Sequence, residues 1–157
     1  MKLRNYLAHA DLDRCLEIWR DASELAHPFL DAATLDVDAD VIRQTYMPAA
    51  EITIAEQDGR VIGFIALLGD LIGGLFVHPS DHRHGAGRAL VADAQARKGR
   101  LEVEVYEAND GARAFYAACG FVETGRRATD DHGRELPLIR MALDAGRTQD
   151  GFRSPTG

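Results

Sequence analysis

Between Leu75 and Val91 the chain passes from an apolar strand through a basic, glycine-rich turn directly into a helix, and that order limits the fold and its ligand more than any other segment. A helix start leaves its first backbone N–H groups without intrahelical acceptors, and the aligned peptide dipoles place about half a positive charge there. Phosphate oxygens satisfy both. Gly85 and Gly87, on either side of Ala86, let the backbone approach such oxygens without a Cβ in the way. His82, Arg83, His84 and Arg88 set cationic or donor groups around the rim, so the segment reads as a cradle for a phosphorylated cofactor. Two common cradles are disfavoured. A Walker loop ends in Gly-Lys-Ser/Thr, whereas Gly87 is followed by Arg88 and Ala89. The dinucleotide fingerprint needs a third glycine in a βαβ setting, but position 90 is leucine and the preceding segments read as consecutive antiparallel strands.

Apolar periodicity organises the rest. Lys2–Leu7 reads as a strand, and Asp11–Ala26 as an amphipathic helix with Leu12, Cys15, Leu16, Trp19 and Leu25 at roughly helical spacing and Asp11 as its cap. Pro28 ends it. A second helix is expected over Asp36–Met47, with Val37, Val41, Ile42 and Tyr46 inward and Pro48 as its stop. Glu51–Glu56 and Arg60–Leu68 read as strands joined by an Asp58-Gly59 hairpin turn, and Leu71–Val77 as the next strand. A helix over 86–98 follows, then the alternating strand Leu101–Val105, a helix over 110–118 ended by Gly120, and strands over Phe121–Arg127 and Glu135–Leu143.

The length, 157 residues, suits one domain over residues 1–143 and a disordered tail over 144–157. The balance is acidic, 18 basic against 25 acidic side chains for a net charge of −7, which disfavours nucleic acid as a partner and makes the basic cluster a local feature. An acidic surface also favours a cationic amine substrate. The apolar runs are far shorter than a membrane span, and the N-terminus carries no signal pattern, so a cytoplasmic protein without membrane attachment is expected. Cys15 and Cys119 read as reduced, buried thiols. His78, His82 and His84 lack a spaced carboxylate or thiol to complete a metal shell, and no metal is expected.

The turn His82-Arg83-His84-Gly85-Ala86-Gly87 resembles the pyrophosphate loop of the GNAT superfamily of N-acetyltransferases, Arg/Gln-x-x-Gly-x-Gly/Ala. Asn109-Asp110-Gly111-Ala112-Arg113-Ala114-Phe115-Tyr116-Ala117-Ala118-Cys119-Gly120-Phe121 is similar to the closing motif of that family, in the right order and at the right distance. Trp19, the run Ala26-His27-Pro28-Phe29-Leu30 and the turn Asp130-Asp131-His132-Gly133 before Pro137-Leu138 resemble the small bacterial YjaB-type subgroup. The resemblance covers residues 1–143 and implies a single α/β (α+β) domain: a mixed, mostly antiparallel sheet of six to seven strands flanked by about four helices. It departs at His82, where the family carries Arg or Gln. A fixed donor becomes a titratable one, and phosphate binding is expected to weaken at high pH.

The resemblance further implies direct acetyl transfer from acetyl-CoA to a primary amine. Leu75, Phe76 and Val77 would hold the pantetheine arm beside the loop 82–88, with the Val77 amide as oxyanion donor; Gly73-Gly74 suit a strand that must bend. Tyr116 would contact the cofactor and act as general acid, because a phenol keeps its proton at neutral pH. Asn109 would bond the cofactor arm or cap the following helix. A base is missing from the strand Leu71–Leu75, which favours an amine of low pKa; His27 and Phe29 are candidate substrate contacts, His78 a weaker one. A noncatalytic acyl-CoA sensor, a degenerate acetyltransferase fold and a protein-binding module remain as alternatives, with a monomer or homodimer equally compatible.

Overall fold

The computed structural model describes residues 1–82 and 84–144; Arg83 and all of the expected tail after Asp144 lie outside the described residues. Seven strands form one mixed sheet in the order β1-β2-β3-β4-β5-β7-β6. β4 and β5 are parallel, while β1–β2, β2–β3, β5–β7 and β6–β7 are antiparallel. The chain divides into two compact units, Met1–Gly69 with Gly73–Leu90, and Asp70–Ile72 with the residues from Val91 onward.

The first unit contains β1 (Lys2–Asn5), α1 (Ala8–Ala26), α2 (Ala32–Val41), a π-helical turn (Ile42–Tyr46), α3 (Met47–Ala49), β2 (Glu51–Gln57), β3 (Arg60–Leu68) and the later part of β4 (Leu71–Val77). Asp58 and Gly59, at φ 53° and 77°, make the expected hairpin, in the doubly left-handed conformation whose twist matches that of the flanking strands. α1 lays Cys15, Ile18 and Trp19 against a core that includes Leu35, Met47, Ile52, Ile54, Val61 and Phe64. Each large apolar side chain so enclosed contributes on the order of 1.5–3 kcal/mol before entropy is counted.

Two expectations for this unit are corrected. Asp11 does not precede the helix; α1 begins at Ala8, and Asp11, inside its first turn, accepts the Leu7 amide at 2.8 Å and the Arg4 guanidinium at 2.8 and 2.9 Å. The second helix starts four residues before the expected Asp36, because Asp31 caps it by accepting the Thr34 amide at 2.8 Å. Val37 (60% exposed) and Tyr46 (39%) face outward, and Leu35 and Met47 fill the core instead. The π turn between them widens the helix by about one residue per turn, so the inward position after Ile42 falls at Met47 rather than Tyr46.

The second unit holds the start of β4, β5 (Leu101–Tyr106), α5 (Asp110–Ala118), β6 (Val122–Arg127) and β7 (Leu138–Leu143), and the helix α4 (Ala86–Lys98) runs on into it. β5 alternates as expected: Leu101, Val103 and Val105 are buried while Glu102, Glu104 and Tyr106 are half-buried. β7 begins three residues later than expected, because Arg134 and its neighbours are held in a polar knot around Asp130. Cys15 and Cys119 are both reduced thiols with no exposed surface. Burial pushes the Cys15 thiol up to about 12. No helix among the described residues is long and apolar enough to cross a membrane.

Candidate functional site

β4 pairs with β5 only at Leu71 and Ile72, so the ladder on that edge stops before Gly73–Val77. On the other edge β4 lies close to β3. A Cβ on Gly63 would sit 2.8 Å from the Phe76 carbonyl oxygen, and one on Gly74 would meet the Phe76 ring at 2.9 Å. Backbone packing therefore demands glycine at 63, at Gly74 the Phe76 ring would have to shift, and a Cβ on Gly73 would find ordinary contacts from 3.5 Å. The Phe76 ring lies 5.7 Å from that of Phe64, and the His78 amide donates to the Ile62 carbonyl at 2.8 Å, carrying the β3 contact past the strand end. Leu75, Phe76 and Val77 are half-buried.

The turn that follows is tied down by side chains. His78 Nε2 lies 2.9 Å from an Asp21 carboxylate oxygen on α1, and its Nδ1 accepts the Ser80 amide at 3.2 Å and lies 2.7 Å from Ser80 Oγ. With both ring nitrogens engaged, His78 is an anchor rather than a base. Buried Asp81 accepts a bond from Arg60 at 2.8 Å, and exposed His82 bonds the Val77 carbonyl through Nε2 at 2.9 Å. Gly85 adopts φ 75°, a conformation that favours glycine, with open space where a Cβ would be. Its carbonyl accepts the Ala89 amide at 3.0 Å, and α4 begins at Ala86, leaving the amides of Ala86 and Gly87 without an intrahelical acceptor. His84 and Arg88 are exposed beside them. Among the described residues no three His, Cys, Asp or Glu side chains gather to hold a metal ion.

In the second unit Asn109 caps α5, its side-chain oxygen accepting the Ala112 amide at 3.0 Å. Tyr116 is 5% exposed and stands edge-on to Phe115 and Phe121, each with ring centroids 5.2 Å away. Burial first, then Cys119, raises its hydroxyl well above the ordinary tyrosine value, so it holds its proton throughout the neutral range. Nearby in sequence, Tyr106 donates to Asp130 at 3.0 Å, and Arg134 reaches the same carboxylate at 2.6 Å. Burial alone would raise Asp130, but the bonds from Arg134, Tyr106 and the His132 amide hold it below the usual carboxylate range.

His27 and Phe29 come together in the link between α1 and α2, with ring centroids 5.4 Å apart. Burial pushes the His27 imidazole below its ordinary value, which leaves it neutral at pH 7. Trp19 is a core residue. Sequence reasoning missed Asp21, Arg60, Asp81 and Gly63. A glycine interrupting the apolar run of β3 was a readable signal of close backbone approach; the long-range partners had none.

Residues 48–123 match the family model described as an acetyltransferase (GNAT) domain. The chain is 34% identical to the peptidyl-lysine N-acetyltransferase YiaC of Escherichia coli, over 71% of this chain and 77% of that protein. It is 33% identical to the peptidyl-lysine N-acetyltransferase YjaB of the same organism, over 85% and 91%. The solution structure of apo YjaB from E. coli superposes with a TM-score of 0.82 at 31% identity, covering 92% of this chain and 98% of that one. PaiA N-acetyltransferase from Thermoplasma acidophilum, crystallised in complex with coenzyme A, shares the fold with a TM-score of 0.71 at 16% identity, over 88% and 96%.

Proposed function

This chain belongs to the GNAT family of N-acetyltransferases, and from that premise we propose that it binds acetyl-CoA by the turn between β4 and α4 and acetylates the side-chain amine of a lysine in a peptide or protein. The reaction class, transfer of the acetyl group of acetyl-CoA to an amine, comes with the family. Lysine as acceptor is the activity named for the two E. coli relatives and is extended here to this chain. The observation that carries the reading is Gly85: positive φ, open space above it, and a helix start immediately after. A diphosphate needs that combination, with donors from the first turn of α4 and from His82, His84 and Arg88.

Leu75, Phe76 and Val77 present the pantetheine arm with a strand edge outside the β5 ladder, and the Val77 amide donates to the carbonyl oxygen as it gains negative charge. Asn109, while capping α5, serves the same arm. The amine nitrogen attacks the thioester carbon, the C–S bond breaks, and the electron pair leaves on sulfur. Tyr116 donates its proton there. A phenol near 10 gives its proton to a thiolate near 8.5 against about 1.5 units, or ~2 kcal/mol, and burial enlarges that gap. The transfer is therefore completed by the nitrogen, whose acyl-ammonium proton is far more acidic and restores the phenol.

Freeing a lysine amine at pH 7 costs about 3.4 units, or ~4.6 kcal/mol, and β4 supplies no carboxylate or imidazole to offset it. Turnover then rises about tenfold per pH unit until the amine is free. His27 and Phe29 are the proposed acceptor contacts, His27 in its neutral form. An α-amine is the second reading, favoured by that base-free strand. Peptides carrying only one amine of each kind separate the two. The protein is proposed to work in the cytoplasm as a monomer or homodimer, with no nucleic-acid partner, in keeping with its net charge of −7.

Calorimetric titration of the protein with acetyl-CoA, and separately with CoA, tests the site. Micromolar binding is expected, lost by at least a hundredfold in Gly85→Glu, which fills the cradle with bulk and negative charge. Absence of binding in the unaltered protein moves the assignment to a protein-binding module. Binding without acetylation of any amine favours an acyl-CoA sensor.

A further inference from the structure

Buried polar side chains in this fold come with partners, and Ser23 is the exception. Asp11, Asp81 and Asp130 are buried, and each is met by an arginine. Ser23, in the last turn of α1, is enclosed more completely than any of them, at 1% exposed, yet its hydroxyl has no hydrogen-bond partner among the described residues. A serine inside a helix can turn its hydroxyl back to the carbonyl one turn earlier, and Ser23 does not. Arg14 and Arg113 also bury an unmatched nitrogen, but other nitrogens of the same guanidinium are bonded. Ser23 has only the one polar atom in its side chain.

That hydroxyl lies beside the proposed acceptor contacts. Cys15, Trp19 and Ser23 follow one another at four-residue spacing along α1, and His27 stands one turn further on as the C-cap. The row therefore changes from apolar to polar where it leaves the core cluster, which holds Cys15 and Trp19. The His27 amide donates to the Ser23 carbonyl at 2.8 Å, and the His27 ring lies 5.4 Å from that of Phe29. All four positions belong to the first unit.

We propose that the Ser23 hydroxyl hydrogen-bonds a main-chain amide of the acceptor, so that the site recognises a peptide bond as well as the reacting amine. The inference rests on the reading of His27 and Phe29 as acceptor contacts. The carboxylates nearest in sequence are committed elsewhere: Asp21 to His78, Glu24 to Arg20 and Asp31 to the Thr34 amide. A cationic group brought to Ser23 would be buried without a counter-charge, and an apolar one would leave the hydroxyl unmatched. The group that fits is neutral and polar. A hydroxyl both donates and accepts, and so does a peptide unit, through its N–H and its carbonyl oxygen. Because the hydroxyl is already withdrawn from the surface, the partner that reaches it relieves a standing cost as well as adding a bond.

Two acceptors separate the amide from the amine. Nα-acetyl-lysine N-methylamide carries its side-chain amine on a residue flanked by amides, whereas pentylamine has the amine and no amide. Ser23→Ala removes one oxygen and suits a helix, so the variant is expected to fold. Its KM for the amide compound is expected to rise about three- to tenfold, the worth of one hydrogen bond, with kcat within about twofold. Its kcat/KM for pentylamine is expected to match that of the unaltered protein, and its midpoint in chemical denaturation to hold or rise, since no bond within the protein is lost. An unchanged KM for the amide compound or an equal loss with pentylamine would overturn the proposal. A lowered midpoint would overturn it too, by showing that the hydroxyl serves the fold. Acetylation of neither compound by an unaltered protein that binds CoA overturns instead the lysine reading, and with it the acceptor contacts on which the proposal rests.

Discussion

In the proposed function the first unit would meet its ligand with backbone, the second with a side chain. Around the β4-to-α4 turn the proposed working groups are main-chain amides, a glycine at φ 75° and strand edges, and the side chains nearby, His78, Asp81 and Arg60, bond to other parts of the first unit. In the second unit one hydroxyl carries the proposed chemistry, and it is held by dry packing between Phe115 and Phe121. A backbone site tolerates exchange of the side chains around it but not of its glycines. A side-chain site has the opposite vulnerability.

Tyr116→Phe should break the comparison most visibly: turnover falls on the order of 10²–10⁴-fold, the range for a removed general acid, while the Kd for CoA stays within about twofold. Single-turnover kinetics beside calorimetry measure both, and a variant with unchanged turnover removes Tyr116 from the mechanism. Next in size, Asp130→Ala removes the buried carboxylate that holds half-buried Arg134 and Tyr106 and should cost about 3 kcal/mol in chemical denaturation. Because the Asp130 carboxyl is held below its usual range, its stabilisation is fully present above about pH 4, the unfolded value, and is lost as pH falls through the lower folded value. The variant should accordingly flatten the acid limb of the stability curve; an unchanged limb would show that the knot does not titrate with folding. The smallest effect is expected from Gly63→Ala, whose Cβ would press on the Phe76 carbonyl. A loss of about 1–3 kcal/mol is expected, with weaker CoA binding and unaltered acid behaviour, since only the lie of β4 is disturbed.

The sequence was most legible where backbone geometry dictates residue type. β4 at Leu71–Val77, α4 at Ala86–Lys98 and α5 at Asp110–Ala118 fall where expected, because glycines and a capping asparagine mark their ends and apolar spacing marks their faces. Legibility failed at α2, where a π turn displaced the inward face from Tyr46 to Met47 and no residue type announces a π turn. It failed again before β7, where the Asp130 knot takes residues that alternation alone would give to the strand. In the candidate site, the glycine turn into α4 could be read, but its supports could not. His78 with Asp21 and Arg60 with Asp81 join positions 57 and 21 residues apart, and pairing over such separations is set by tertiary packing rather than by local pattern.

The two cysteines bear on how turnover can be watched. Each acetyl transfer liberates one thiol, that of CoA, and the thiols of the folded protein are silent: both are shut away from solvent, and Cys15 is a thiolate only near pH 12. A thiol-reactive chromophore added to the reaction therefore counts product alone, in real time, without titrating or poisoning the catalyst. The same reagent changes meaning when the protein opens, since two further equivalents per chain then become reactive. One colour reaction thus reads catalysis while the fold holds and unfolding when it fails.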